Sequence, residues 1–299
     1  MRPFRVLAVG IALALAGCTP PDGVSTPPNQ PQLNLTQPGA AAAMVERLLE
    51  AVGSTRVLQV ELTATEAHVT LLRGQVATTY AYRDGQISPI DSDIEYVGQA
   101  LFDPRTFALS DLGEVFDRAA RVAGSSSNQQ LQIVDYDAGA IYMSVTTTPE
   151  TRPVFFTPDG AEVEAFDPTD PRAVEPVIDQ VSDGDVTVLR LGITSAGEVW
   201  AEHRAGTDQV VRVIRAPHFP IRDQLRSEPN PPGPFNPDLV SADTISRLLH
   251  SAADHLGQPI ARGYAMTIWR PAGHVDPIAE VTWNGATVRL TLGGTVIGG

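Results

Sequence analysis

The feature that most constrains this chain is a long internal repeat. Val57–Arg73, VLQVELTATEAHVTLLR, aligns without gaps with Val188–Arg204, VLRLGITSAGEVWAEHR, at a spacing of 131 residues. Leu58, Val60 and Leu62 fall on Leu189, Leu191 and Ile193, and Thr63 falls on Thr194. Further on, Phe102-Asp103-Pro104 matches Phe235-Asn236-Pro237 at a spacing of 133, and Thr207-Asp208 reads as the insertion that accounts for the shift. Two copies with one burial pattern predict two similar folded bodies in tandem.

The spacing of 133 continues through a predicted amphipathic helix. Leu112, Val115, Phe116 and Ala119 correspond to Ile245, Leu248, Leu249 and Ala252, the stripe of a helix with one buried face. Ser110 and Asp243 are cap-type residues ahead of it, and Gly124 and Gly257 can take the left-handed conformation that ends it. Each copy also opens on a helix, Ala41–Val52 in the first and Pro171–Val181 in the second, where Pro176 predicts a start later than the stripe. Alternating runs such as Leu131–Tyr136, Ala140–Thr146, Tyr264–Trp269 and Ile278–Trp283 read as antiparallel strands with one buried face. The predicted fold is α+β: two tandem repeats, each helix-βββ-helix-βββ, with a mainly antiparallel sheet and helices on one face. The first domain is expected over 40–168 and the second over 169–299.

The chain opens with Arg2 and Arg5 and an apolar run from Val6 to Ala16, the layout of a secretory signal and too short to span a bilayer. Its end, Leu15-Ala16-Gly17-Cys18, resembles the lipobox of bacterial lipoproteins. That resemblance implies cleavage after residue 17, a diacylglyceryl thioether on Cys18 and attachment to the cell membrane on its extracytoplasmic face, with two or more acyl chains giving stable anchoring. Residues 18–39 are expected to form the lipidated cysteine and a disordered tether, being rich in Pro, Gln, Asn and Thr. Asn34-Leu35-Thr36 matches a glycosylation sequon, read here as chance.

Cys18 is the only cysteine, so the remainder has neither disulfide nor thiolate nucleophile. All 21 basic residues are arginine, which removes every lysine-based chemistry and, with the abundance of Ala, Gly, Pro and Asp, points to a GC-rich, actinobacterial source. The net charge of -14 predicts no nucleic-acid partner, because an acidic surface repels phosphate.

No catalytic, cofactor-binding or metal residue is assigned. Of the six histidines, His250 and His255 lack the spacing of a helical ligand pair, and His203 reads as structural. Asp91/Asp93, Asp135/Asp137 and Asp183/Asp185 could each share a strand face, yet read as turn and edge residues. EPNPPGPFNP, Glu228–Pro237, reads as a stiff connection within the second copy. The layout is similar to helix-on-sheet envelope proteins of the β-lactamase-inhibitor-like, BamE-like and PepSY-like kinds, without any of their residue motifs. The expected function is therefore non-enzymatic binding or scaffolding in the cell envelope, with an envelope protein, glycan or lipid as partner. The alternative is a lipid or glycolipid carrier with an apolar cavity between sheet and helices, lined by residues such as Phe155, Phe156, Trp269 and Trp283. A hydrolase using a carboxylate pair is a third reading.

Overall fold

The computed structural model describes residues 33–83, 85–91, 94–149, 151–195, 197–257 and 263–298. The signal segment, Cys18, the tether up to residue 32 and Asp93 lie outside these residues. The first half runs α1 (Ala40–Val52), β1 (Gln59–Leu62), β2 (Ala67–Arg73), β3 (Val76–Arg83), β4 (Gln86–Ile90), α2 (Leu112–Ala123), β5 (Gln130–Asp137), β6 (Ala140–Thr146) and β7 (Val154–Phe156). The second runs α3 (Pro171–Ser182), β8 (Arg190–Thr194), β9 (Val199–Arg204), β10 (Gln209–Arg215), β11 (Arg222–Ser227), α4 (Ala242–Leu256), β12 (Tyr264–Trp269), β13 (Ile278–Trp283) and β14 (Ala286–Thr291). This is the expected tandem α+β architecture, with four rather than three strands after the first helix of each half. The additional strands, β4 and β11, are short and largely exposed.

The helices form where the stripes predict them, but their caps differ. α2 starts one residue later than Ser110, with the Asp111 carboxylate accepting the Glu114 N–H. α4 starts before Asp243, with Ser241 accepting from Thr244 and Asp243 inside the first turn. Gly124 and Gly257 end both helices at φ 71° and 66°. α3 begins at Pro171 behind the Asp170 cap, so Pro176 lies within it and does not delay its start. Burial of Val174, Val177, Ile178 and Val181 outweighs the local penalty of that proline.

Each sheet has seven antiparallel strands, in the orders β4-β3-β2-β1-β5-β6-β7 and β11-β10-β9-β8-β12-β13-β14. The four-strand meander and the three-strand meander of a half therefore meet at the β1–β5 or β8–β12 pair. Beyond β7 and β14 the chain doubles back over the sheet edge: Val163 N–H donates to Phe155 and Ile297 N–H to Arg289. One face of each sheet packs against its helices. That space is filled by side chains, with Leu48, Leu62, Leu131, Ile133 and Phe156 fully buried in the first half and Leu191, Ile193, Ile245, Leu248 and Ile268 in the second.

Strand register revises the repeat alignment. Gln59 pairs with Thr70, whereas Arg190 pairs with Glu202, so Thr70 corresponds to Glu202 rather than Ala201. The turn after β8 is one residue longer than the turn after β1, and a second residue enters between β9 and β10; the two insertions are separate. A one-residue slip in a strand exchanges the faces of its side chains. His203 accordingly matches core-facing Leu71, not Leu72, and both are buried.

The packed body begins before residue 40. Leu35 is fully buried in the first core, and its N–H donates to the carbonyl of Ala64. Leu33 packs against the same core, so two long apolar side chains hold this polar stretch on the fold.

Candidate functional site

The outer face of the second sheet, opposite its helices, centres on a carboxylate with no exposed surface. On β9, Val199 and Ala201 enter the core, so Trp200, Glu202 and Arg204 point the other way. Cross-strand neighbours place Arg190, Arg212 and Arg226 around Glu202. Glu202 accepts from Arg190 at 2.7 Å, from Arg212 at 2.6 and 2.8 Å, and from Arg226 at 2.8 and 2.9 Å. Glu228, just after β11, takes a two-pronged bond from Arg190 at 2.6 and 2.8 Å and pairs with Arg226 at 2.6 Å. Burial pushes the Glu202 carboxyl up, but the arginine hydrogen bonds outweigh it and hold the group below the ordinary carboxylate value. Arg212 also lies over the Trp200 ring, 3.9 Å from its centroid. That ring lies on Gly192, where any Cβ would come within 1.9 Å of it, which explains a glycine in a strand interior.

At the junction of the halves, Phe155 meets Phe219 at 5.8 Å between ring centroids and Tyr136 at 5.3 Å. Asp223 N–H donates to the Asp137 carboxylate at 2.6 Å. A cleft of about 400 Å³ beside this bond is lined by Asp137, Tyr142, Gln180, Asp183, Arg222 and Asp223. Burial, then the charges of Asp137 and Asp183, push the Asp223 carboxyl up. A larger groove of about 960 Å³ lies on the first half among Thr36, Thr63–Glu66, the start of α2 and residues 126–130, with a mostly polar lining.

The residues weighed from sequence are dispersed. His203 is buried, with Nε2 donating to the Val181 carbonyl and Nδ1 facing the Asp185 carboxylate, both at 2.9 Å. His250 and His255 are exposed on α4. A bulge separates Asp135 from Asp137, so they do not form a pair on one face; Asp135 accepts the N–H groups of Ala100 and Gly139. Asp183 ends α3 in the left-handed region at φ 51°. No group of three or more metal-ligating side chains occurs among the described residues. Glu228–Pro237 links β11 to the short turn before α4, with Phe235 bridging Val188 as Phe102 bridges Val57. Phe156 fills the first core, Phe155 lies at the junction, Trp269 stands opposite Arg190 on the outer face, and Trp283 packs against the second core. The Glu202 cluster escaped sequence reading because its members lie on four strands and meet only through register. Its one visible signal was Gly192 in the alternating run Arg190–Thr194.

No protein-family model matches the chain, and no curated protein matches it. Among solved structures, it is matched with the DNA polymerase III beta subunit of Thermotoga maritima at 11% identity, covering 86% of this chain and 64% of that chain, with a TM-score of 0.16. The DNA polymerase sliding clamp of Pseudomonas aeruginosa matches at 11% identity, covering 87% and 63%, with a TM-score of 0.15. The H. pylori beta clamp matches at 10% identity, covering 86% and 61%, with a TM-score of 0.15. The chain thus spans less than two thirds of each, and likeness at this level carries no argument about ligand. One expectation is corrected: the exclusion of nucleic acid, drawn from the net charge of -14, is withdrawn. Net charge sums the whole surface and does not exclude a local basic face such as the one around Arg190 and Arg226.

Proposed function

We propose that this chain is a lipoprotein anchored through Cys18 at the extracytoplasmic face of the cell membrane, with a folded body that binds a partner and carries out no reaction. The observation that supports this reading most is the order of segments. An apolar run ends in Leu15-Ala16-Gly17-Cys18, a Pro-rich stretch follows, and a compact two-sheet body begins at Leu33. Such a tether reaches tens of ångströms when extended, at about 3.1 Å per residue, and holds the body clear of the bilayer. Binding has more support than lipid carriage, since the space between sheet and helices is filled and Phe155 and Trp269 face elsewhere.

The test is expression of the full chain and of Cys18→Ser in an actinobacterial host fed an alkyne fatty acid. The expected result is a labelled, membrane-bound wild type and an unlabelled, released variant. An unlabelled wild type refutes the anchor. Photo-crosslinking of the anchored protein in living cells should recover a specific partner. Co-purification of stoichiometric lipid from the folded body would instead overturn the binding reading in favour of carriage.

A further inference from the structure

The two halves provide an internal control for the outer sheet face. On β8–β11 of the second half that face presents Arg190, Arg204, Arg212, Arg222 and Arg226, with the acid Glu202 within the strands and Glu198 and Glu228 flanking them. Register assigns four of these arginines first-half counterparts: Gln59 for Arg190, Leu72 for Arg204, Thr79 for Arg212 and Ser88 for Arg222. Where Glu202 meets Arg212, the first half has Thr70 and Thr79, whose hydroxyls share a hydrogen bond of 2.9 Å. The same sheet therefore forms without charge at these positions. A buried ion cluster is also a poor stabiliser, because desolvation offsets most of its attraction. Neither the fold nor its stability explains five arginines on one face of a chain with net charge -14.

We propose that this face is a docking surface for an acidic polypeptide segment; this rests on the binding reading above and specifies the chemistry of the partner. The guanidinium groups are already arranged for carboxylates, since Arg190 grips Glu228 and Arg212 grips Glu202 through paired hydrogen bonds. Glu202 holds three of them in place from beneath, and Arg190, Arg212 and Arg226 keep 24%, 29% and 37% of their side-chain surface exposed. Arg204 has no carboxylate partner among the described residues, and Arg222 shares Glu198 in an exposed pair. Neighbouring strands lie about 4.8 Å apart and alternate side chains along a strand about 6.8 Å apart, the spacing an extended segment presents in its own alternate side chains. With Glu198, Glu202 and Glu228 included, the five arginines still leave a positive excess of two charges.

The experiment uses the full lipidated chain in detergent micelles and a fluorescent peptide of glutamates interspersed with glycine, followed by anisotropy. Binding should weaken with salt and fall at least tenfold in Arg204→Glu and in Arg222→Glu, two partly or fully exposed positions outside the Glu202 contacts. Arg121→Glu, on the exposed side of α2, should leave it unchanged. Circular dichroism of each variant reports folding. No binding by the folded wild type, or equal binding by all three variants, overturns the proposal. So does binding of a DNA oligonucleotide or anionic vesicles, but not of the peptide, with the same arginine dependence. If the peptide fails while crosslinking in cells still recovers a partner, the binding reading stands and this surface is wrong.

Discussion

Arg215 Nη2 donates to the main-chain carbonyl of Glu164 at 2.5 Å, tying the last strand before the β10–β11 loop to the segment that joins the two halves. The same guanidinium donates to the carbonyls of Ala216 and Phe219, and it lies over the Phe166 ring at 5.6 Å. The side chain is buried, which pushes its pKa down, and three carbonyls take the place of a carboxylate partner. Replacement by methionine keeps the apolar stem and leaves those carbonyls without their donor. Arg215→Met should cost about 2 kcal/mol, measured by urea unfolding. It should also speed proteolysis between residues 164 and 170.

Removing one member of the Glu202 cluster should be far worse than removing a matched pair. Glu202→Thr leaves arginines facing a void and should cost about 3–5 kcal/mol. Glu202→Thr with Arg212→Thr reproduces the Thr70–Thr79 pair of the first half and should recover a large part of that loss. A double-mutant cycle on thermal or urea unfolding measures the coupling.

The same cluster sets a pH dependence. The folded-state value of Glu202 lies below its ordinary 4.5, so its contribution is present above that value and is lost as pH falls through the folded-state value. Glu228, lowered chiefly by its hydrogen bonds from Arg190, acts in the same direction. Stability of the second half should therefore decline from about pH 4.5 downward. Glu202→Gln should flatten part of that slope in unfolding curves taken across the acid range.

His203 closes the end of α3. The Val181 carbonyl lies in the last turn, where no intrahelical donor remains, and the imidazole supplies one. His203→Leu copies Leu71 of the first half and restores apolar packing, but leaves that carbonyl unpaired. The expected net loss is about 1 kcal/mol, with faster amide exchange confined to residues around 182–185. Uniform acceleration throughout the second half would show that the histidine supports the whole core.

Leu35 tests where the folded body starts. Truncation to alanine should cost about 2–5 kcal/mol, as for a fully buried leucine. If residues 34–39 belonged to the tether, the loss would be close to zero in the same unfolding measurement.

Periodicity alone determined the architecture of this protein: helical stripes such as Leu112, Val115, Phe116 and Ala119, alternation in the strands, and the doubling of both. Those signals are local and survive divergence, because a buried stripe must stay apolar whatever the exposed residues become. Tertiary structure alone decided which residues share a face across strands. The slip that places His203 with Leu71, and Glu202 with Thr70, comes from the extra residue in the turn after β8, which sequence alignment merges with the second insertion between β9 and β10. The arginines around Glu202 belong to separate strands, and strand pairing is what brings their charges within hydrogen-bonding distance. The extra strands β4 and β11 were equally hidden, since exposed edge strands carry little of the apolar alternation that reveals a buried one.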